Sequence, residues 1–249
     1  SQHPPIETAS YTINRTDPTL TKTSLGRLVM NDRSINSFLE ETTISCNNLL
    51  LSTVSLSEIS SLADVALGEI HPNDYMPFGS PWSLGTPEQR RNKLHSWYER
   101  RLQENSHEVW TWLFKVSLKG KIIGSTNLHS QNFSTSRTVS TGSWLLREWQ
   151  GKGFGTTMRL CLLQLAFEHI GATRAESEAW EDNIASRRVN EKCGYRVVGK
   201  HSLLREGSLA TMIQYSLTVK DWRQRSAIAP QIKVGISPTV KQTLLRRVR

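Results

Sequence analysis

The chain has 249 residues, 37% of them hydrophobic and 21% charged, with a formal net charge of +9. That length can bury a sizeable core, and the composition is that of a globular rather than a disordered chain. No apolar run is long enough to span a bilayer.

Residues 1–48 are rich in Ser and Thr and weak in apolar periodicity, which predicts an irregular N-terminal extension with a short helix over Leu25 to Leu39. Leu49 to Val54 reads as the first strand. Ser57 then stands as an N-cap with Glu58 in the first turn, and Leu62, Val65 and Ala66 give the helix its apolar face. Residues 71–82 break regular structure repeatedly. Thr86, Pro87 and Gln89 form a capping-box start for a helix running to about Glu104, with Leu94, Trp97, Tyr98 and Leu102 on one face. Trp110 to Leu118 and Lys121 to Leu128 are strands joined at Lys119–Gly120, and a third antiparallel strand follows from Arg137 to about Leu146. After a glycine-rich turn, Thr157 to Ile170 is an amphipathic helix that places Leu160, Leu163, Ala166, Phe167 and Ile170 against the sheet. Ala175 to Ala179 is a strand, Ile184 to Lys192 a helix stopped at Gly194, and Tyr195 to His201 with Leu209 to Leu217 a final hairpin. Lys220 to Arg249 carries eight basic residues against one acid and reads as a basic C-terminal tail. Cys46, Cys161 and Cys193 are odd in number and lack metal-ligand spacing, as expected for reduced thiols in a cytoplasmic protein. No basic segment precedes an apolar core at the N-terminus, so no signal peptide is expected.

The turn Gln150-Gly151-Lys152-Gly153-Phe154-Gly155-Thr156 organises the rest. Glycines let backbone N–H groups approach an anion closely. The helix behind them begins with unpaired donors and the positive end of its dipole, which together make a pyrophosphate seat. The turn is no Walker loop, and the dinucleotide fingerprint fails because its third glycine falls on Thr156 or Met158.

Gln150-x-x-Gly153-x-Gly155 resembles the acyl-CoA loop of the GNAT N-acetyltransferase superfamily. Asn183-x-x-Ser186, followed by Glu191-Lys192-Cys193-Gly194-Tyr195, looks like a segment of its RimJ/RimL-like branch. The resemblance covers roughly Leu49 to Leu217. It implies a mixed α/β (α+β) GNAT fold: a central, mostly antiparallel sheet flanked by helices, with splayed fourth and fifth strands. The expected organisation is an extension over 1–48, an acyltransferase domain over 49–219 and a basic tail over 220–249.

The resemblance also implies a site. The pantetheine arm of acetyl-CoA, or of another acyl-CoA such as succinyl-CoA, would lie between a fourth strand at Thr138 to Leu146 and a fifth at Arg174 to Ala179. It would pair with backbone at Trp144 and Leu145, and the N–H near Leu145 would stabilise the oxyanion. Gln150, Gly151, Lys152, Gly153, Phe154, Gly155 and Thr156 would hold the phosphates. Asn183 would cap its helix and also bond the pantetheine. The tyrosine that many relatives use as the acid falls on Asn190, which leaves Ser186 to assist the departing thiolate. Glu176 and Glu178 share one strand face and are candidates for proton relay, and Asp74 for holding an ammonium group. No metal is implied. The implied reaction is direct attack by a primary amine, of a protein N-terminus or a small molecule, on the thioester. Expected partners are that amine acceptor, nucleic acid or ribosome through the tail, and a second copy as a homodimer, with no membrane contact. Two rival readings are a CoA-binding module without turnover, motivated by Asn190, and a ribosome- or RNA-associated protein relying on its basic tail.

Overall fold

The computed structural model describes Leu39, residues 41–224 and residues 231–245. The helix expected over Leu25 to Leu39 therefore lies, Leu39 apart, outside the described residues. Nine strands form one sheet among the described residues: β1 Thr43–Cys46, β2 Leu49–Thr53, β3 Val109–Leu118, β4 Lys121–Gln131, β5 Thr138–Leu145, β6 Arg174–Trp180, β7 Arg196–Arg205, β8 Ser208–Thr218 and β9 Ile232–Gly235. Their order is β7-β8-β6-β5-β4-β3-β2-β1-β9. Every neighbouring pair is antiparallel except β5–β6.

The helices are α1 Ile59–Asp64, α2 Pro87–Gln103, the single turn α3 Phe133–Ser136, α4 Phe154–Gln164, α5 Ile184–Cys193, α6 Val219–Arg223 and α7 Thr239–Leu245. Neighbouring residues on a strand point to opposite faces, and the core divides accordingly. Trp144 and Leu146 pack with Ile59, Leu62, Leu94 and Tyr98 from α1 and α2. Leu145 packs on the other face with Met158, Cys161 and Leu162 of α4 and Cys193 of α5. Helix α4 continues as a π-helical turn over Leu165–Ile170, ended by Gly171 in the left-handed region.

Several local devices follow the sequence directly. Thr86 accepts from the Gln89 N–H at 3.3 Å while the Gln89 side chain accepts from the Thr86 N–H at 3.0 Å. The β3–β4 hairpin turns on Lys119 and Gly120, both at positive φ, as a tight primed turn requires. Gly124 on β4 is obligatory for packing, since a Cβ there would overlap the Trp144 carbonyl oxygen.

Other expectations need correction. The first cap is Ser55 rather than Ser57: the Glu58 carboxylate accepts from both the N–H and the hydroxyl of Ser55, which starts the helical turn two residues early. Helix α4 starts at Phe154, three residues sooner than its apolar periodicity suggests, because Gly153 at φ +87° caps it. Strand β1 lies inside the stretch expected to be irregular. Its four residues pair with β2 and with β9, which lies in the stretch expected to be a tail. Such short strands carry little periodicity of their own, and burial of Ile44, Cys46, Val240 and Leu244 holds them in place. Among the described residues no helix is long and apolar enough to cross a membrane.

Candidate active site

Strands β5 and β6 pair through only three positions: Thr138 with Arg174, Val139 with Ala175 and Ser140 with Glu176. Beyond them β5 stays on β4 as far as Leu145, while β6 stays on β8 as far as Trp180. The result is a fork, and it opens without any register shift between β4 and β5.

The ladder fixes which backbone groups face the fork. The Leu146 N–H donates to the Ile123 carbonyl at 2.9 Å. Antiparallel pairs alternate, so Trp144 and Leu146 turn their backbone groups to β4, while Ser143 and Leu145 turn theirs away, into the fork. On β6 the Glu181 N–H donates to the Thr211 carbonyl at 2.8 Å. The same alternation leaves Glu178 backbone groups facing the gap. Buried backbone donors and acceptors require partners, so the fork can receive an extended amide-bearing chain as an added strand.

This geometry corrects one expectation and adds a residue. Trp144 offers no backbone group to the fork. Its indole N–H donates to the Tyr98 hydroxyl at 2.9 Å, and its ring belongs to the core. Ser143 takes its place beside Leu145. Counting ladder parity back from the glycine turn was the signal that could have found it.

At the fork mouth, Gly151 and Gly153 adopt φ +71° and +87°. A Cβ at either would project into open space, so room in front of the loop is left for a ligand. The first N–H groups of α4 have no partner within the helix and point outward there. Gln150 turns inward instead, donating to the carbonyls of Ile70 at 2.7 Å and Leu145 at 2.8 Å. The Lys152 ammonium lies 5.2 Å from the centre of the Trp149 ring and has no ion-pair partner among the described residues. Phe154 meets the same ring edge-on and joins the core. Thr156 is partly buried, and its carbonyl lies 3.9 Å from Cys193 Sγ. Gly155 has an ordinary φ, and a Cβ there would stand 3.4 Å from Val189.

Asn183 caps α5 by accepting from the Ser186 N–H at 3.1 Å, and its amide donates to the Pro77 carbonyl at 3.1 Å. The expected bond to pantetheine is therefore limited to the remaining lone pair of its side-chain oxygen. Ser186 is partly buried, and its hydroxyl makes no hydrogen bond among the described residues. Asn190, at the position of the tyrosine acid of many relatives, is fully buried and accepts from Arg159 at 3.0 Å.

The loop over residues 71–82 covers the opposite face. Rings of Phe78 and Trp82 stand 4.9 Å apart, those of Trp82 and Trp144 5.7 Å apart, and the Trp180 indole donates to the Phe78 carbonyl at 2.9 Å. Arg205 bonds Asp182 and lies over both Tyr75 and Trp180. The Arg205 bonds hold the Asp182 carboxyl below its usual range, while burial, with Asp182 adding, pushes the Tyr75 phenol up to about 12. This clasp was not foreseen; the aromatic density of the loop was its only trace. Asp74 sits on the exposed turn from Pro72 to Tyr75 and makes no bond among the described residues. Glu176 is half-buried, and burial, with Glu178 adding, raises its carboxyl above the usual range. Glu178 is exposed and accepts from Gln214 at 3.2 Å. Among the described residues no group of three or more His, Cys, Asp or Glu could hold a metal ion.

With this geometry in place, similarity to known proteins becomes specific. Residues 49–196 match the Acetyltransferase (GNAT) domain family. A Bacillus subtilis (strain 168) protein named "Putative ribosomal N-acetyltransferase YdaF" is 30% identical over 105 residues, 41% of this chain and 57% of that protein, so the match spans little more than half of the relative. Among solved structures, RimL, a ribosomal L7/L12 alpha-N-protein acetyltransferase in complex with coenzyme A, superposes with a TM-score of 0.56 at 14% identity, covering 70% of this chain and 96% of that one. A Vibrio cholerae spermidine/spermine N-acetyltransferase, SpeG, gives 0.56 at 16% identity over 73% and 99%. At these identities the structural likeness speaks to the fold alone.

Proposed function

This chain belongs to the GNAT family, and from that premise we propose that it is an N-acyltransferase that moves an acyl group, acetyl first among them, from CoA to a primary amine of a protein N-terminus or a small molecule. The fork carries this reading: two strands part at Ser140 and Glu176, and their backbone groups face each other beside a glycine turn and a helix start. The family's acyl-CoA supplies the activated thioester. The chain supplies the rest. The Ser143 N–H holds the carbonyl oxygen where negative charge develops, an arrangement worth about 3–4 kcal/mol elsewhere, and the Leu145 N–H, about 7 Å along the strand, bonds the pantetheine arm. Lys152 and the start of α4 hold phosphate.

The acceptor would approach from the Trp82 and Trp180 side. Glu176 faces that side and, with its raised carboxyl, can take a proton through water. A protein α-amine, with an unperturbed pKa of about 8 against about 10.4 for lysine, asks little of such a base. That favours α-amines and weakly basic amines over lysine side chains and fits the RimJ/RimL-like branch.

The test is calorimetry with CoA and acetyl-CoA, followed by mass-spectrometric detection of CoA release over a panel of N-terminal peptides, polyamines and small amines. Binding with release on α-amines is expected. Failure of CoA to bind would overturn the reading, and release on lysine side chains alone would overturn the acceptor class.

A further inference from the structure

Beneath the closed end of the fork lies a buried cation with no anion to match. Arg159, on the second turn of α4, is 4% exposed. Its Nη1 donates to Ser177 Oγ at 3.1 Å and to Asn190 Oδ1 at 3.0 Å, and no carboxylate pairs with it among the described residues. Four buried polar atoms around it make no hydrogen bond of good geometry: Arg159 Nε, Asn190 Nδ2, the Tyr195 hydroxyl and Thr141 Oγ1. The guanidinium stands 5.9 Å from the centre of the Tyr195 ring, and the Tyr195 phenol interacts with both Thr141 and Arg159 in a geometry short of a good hydrogen bond.

The placement is specific. Thr141 directly follows the last β5 residue that pairs with β6, and Ser177 directly follows the last β6 residue that pairs with β5. Ladder parity puts both side chains on the α4 face, with Leu145 and Ala179. The cluster thus bridges the two strands at the point where they part.

All four orphan atoms can donate a hydrogen bond, and the cluster carries one uncompensated positive charge. A buried ion without its counter-charge is costly, and a buried polar atom without a partner adds to that cost. A water would accept two bonds and bring no charge. A thiolate would bring charge but accept poorly. A carboxylate offers a negative charge and about four acceptor positions, which matches the donor set. Reach agrees as well. With a thioester carbonyl on the Ser143 N–H, Thr141 lies about 6–7 Å further along the strand, close to the length of a four-carbon diacyl chain.

We propose that the Arg159–Thr141–Asn190–Tyr195 cluster is a carboxylate seat at the closed end of the acyl-CoA groove, and that the chain accepts acyl groups ending in a carboxylate, the succinyl class, besides acetyl. This rests on the acyl-CoA reading of the fork. The transfer balances simply. The amine nitrogen bonds to the thioester carbon, the carbon–sulfur bond breaks with its electron pair going to sulfur, and the nitrogen loses one proton. The products are a CoA thiol and an amide whose distal carboxylate is unchanged.

The test compares dissociation constants of CoA, acetyl-CoA, butyryl-CoA and succinyl-CoA for the full chain by calorimetry. Succinyl-CoA is expected to bind at least about tenfold more tightly than butyryl-CoA, its neutral counterpart of equal length, on the scale of one hydrogen bond to a charged group. Arg159→Met is expected to erase that ratio while leaving CoA affinity unchanged. Thr141→Val, which keeps the charge and the fold, is expected to lower the ratio several-fold without altering acetyl-CoA binding. Equal or tighter binding of butyryl-CoA by the natural chain overturns the seat, as does a ratio that survives Arg159→Met. Absence of CoA binding instead overturns the acyl-CoA reading beneath it, so the two failures are distinguishable.

Discussion

The Gln150 side-chain amide donates to the Leu145 carbonyl at 2.8 Å and to the Ile70 carbonyl at 2.7 Å. Gln150 thus ties the end of β5 to the chain leaving α1, and it satisfies the one Leu145 backbone group that a ligand does not need. Leu145 keeps its N–H for the fork. Gln150→Ala would leave two carbonyls short of a donor, at about 1–3 kcal/mol, and let the mouth relax. The expected outcome is a melting temperature lower by about 3–8 °C and acetyl-CoA binding about tenfold weaker by calorimetry. Unchanged affinity would show that the motif glutamine is no part of the cofactor seat.

Gly153 and Gly155 test the phosphate loop from another side. Gly153→Val must hold a β-branched residue at φ +87°, a strained conformation. Gly155→Val carries no such strain but crowds Val189, 3.4 Å from the added Cβ. Both are expected to abolish acetyl-CoA binding, read by calorimetry, in a chain whose circular dichroism spectrum is unchanged. Retained affinity in either folded variant would remove the loop from the site.

A chain trimmed to Leu49–Trp222 keeps every matched motif, so from sequence it should keep acyl-CoA binding. The fold adds a penalty. Trimming removes β1, β9 and α7, and with them Ile44, Cys46, Val240 and Leu244, all within 2% of full burial. Each large side chain of this kind contributes about 1.5–3 kcal/mol. The trimmed chain is expected to melt at least about 10 °C below the full chain, while its folded fraction binds acetyl-CoA normally. Equal melting temperatures would mean that the terminal strands are ornament rather than support.

The long elements were legible because each carried its own signal: the Thr86–Gln89 box for α2, the Lys119–Gly120 turn for β3–β4, and the period-3.6 face from Leu160 to Ile170. β1 and β9 were not, because four residues cannot display a period and both strands depend on pairing and burial contributed by distant parts of the chain. The phosphate loop was legible as chemistry, since glycine spacing is local. The fork was anticipated only through family resemblance. The Arg159 cluster and the Arg205–Asp182–Tyr75 clasp were invisible, because the hydrogen bonds that build them join residues 18 to 107 positions apart.

The clasp predicts an acid limit. Asp182 accepts from Arg205 and from the Tyr75 hydroxyl, and the Arg205 bonds hold its carboxyl below the usual value. A carboxyl lowered on folding contributes stability that is present above its unfolded pKa, about 3.9, and lost as pH falls through the folded value. Asp182→Asn is therefore expected to destabilise the covering loop at pH 7 and to match the natural chain below the folded pKa, where Asp182 is already protonated. Tryptophan fluorescence of loop opening, followed from pH 7 to pH 2, reads this directly through Trp180. A constant difference between the two proteins across that range would discard the clasp.

The departing thiolate poses the last question, since Asn190 cannot act as an acid. Nor does its position invite one. Asn190 is fully buried against Arg159, so Asn190→Tyr would have to displace a guanidinium held by two hydrogen bonds. Overpacking of that kind costs about 1–3 kcal/mol, and the variant is expected to lose stability and gain no rate. Ser186 is different: partly buried, in the first turn of α5, with its N–H held by Asn183 and its hydroxyl uncommitted. A hydroxyl there can donate to sulfur as charge develops. Full proton transfer is not required, because a thiol with a pKa of about 8.5 leaves tolerably as thiolate. The loss in Ser186→Ala should therefore fall at the low end of positioned acid–base help, about 10²-fold in kcat. An interaction realised only in the transition state leaves acetyl-CoA affinity nearly unchanged. Steady-state kinetics on the best amine from the acceptor panel, beside calorimetry on the same variant, separates the cases. A normal kcat would return Ser186 to the role of an ordinary helix serine, and the Ser143 N–H on the carbonyl oxygen would then carry the chemistry without it.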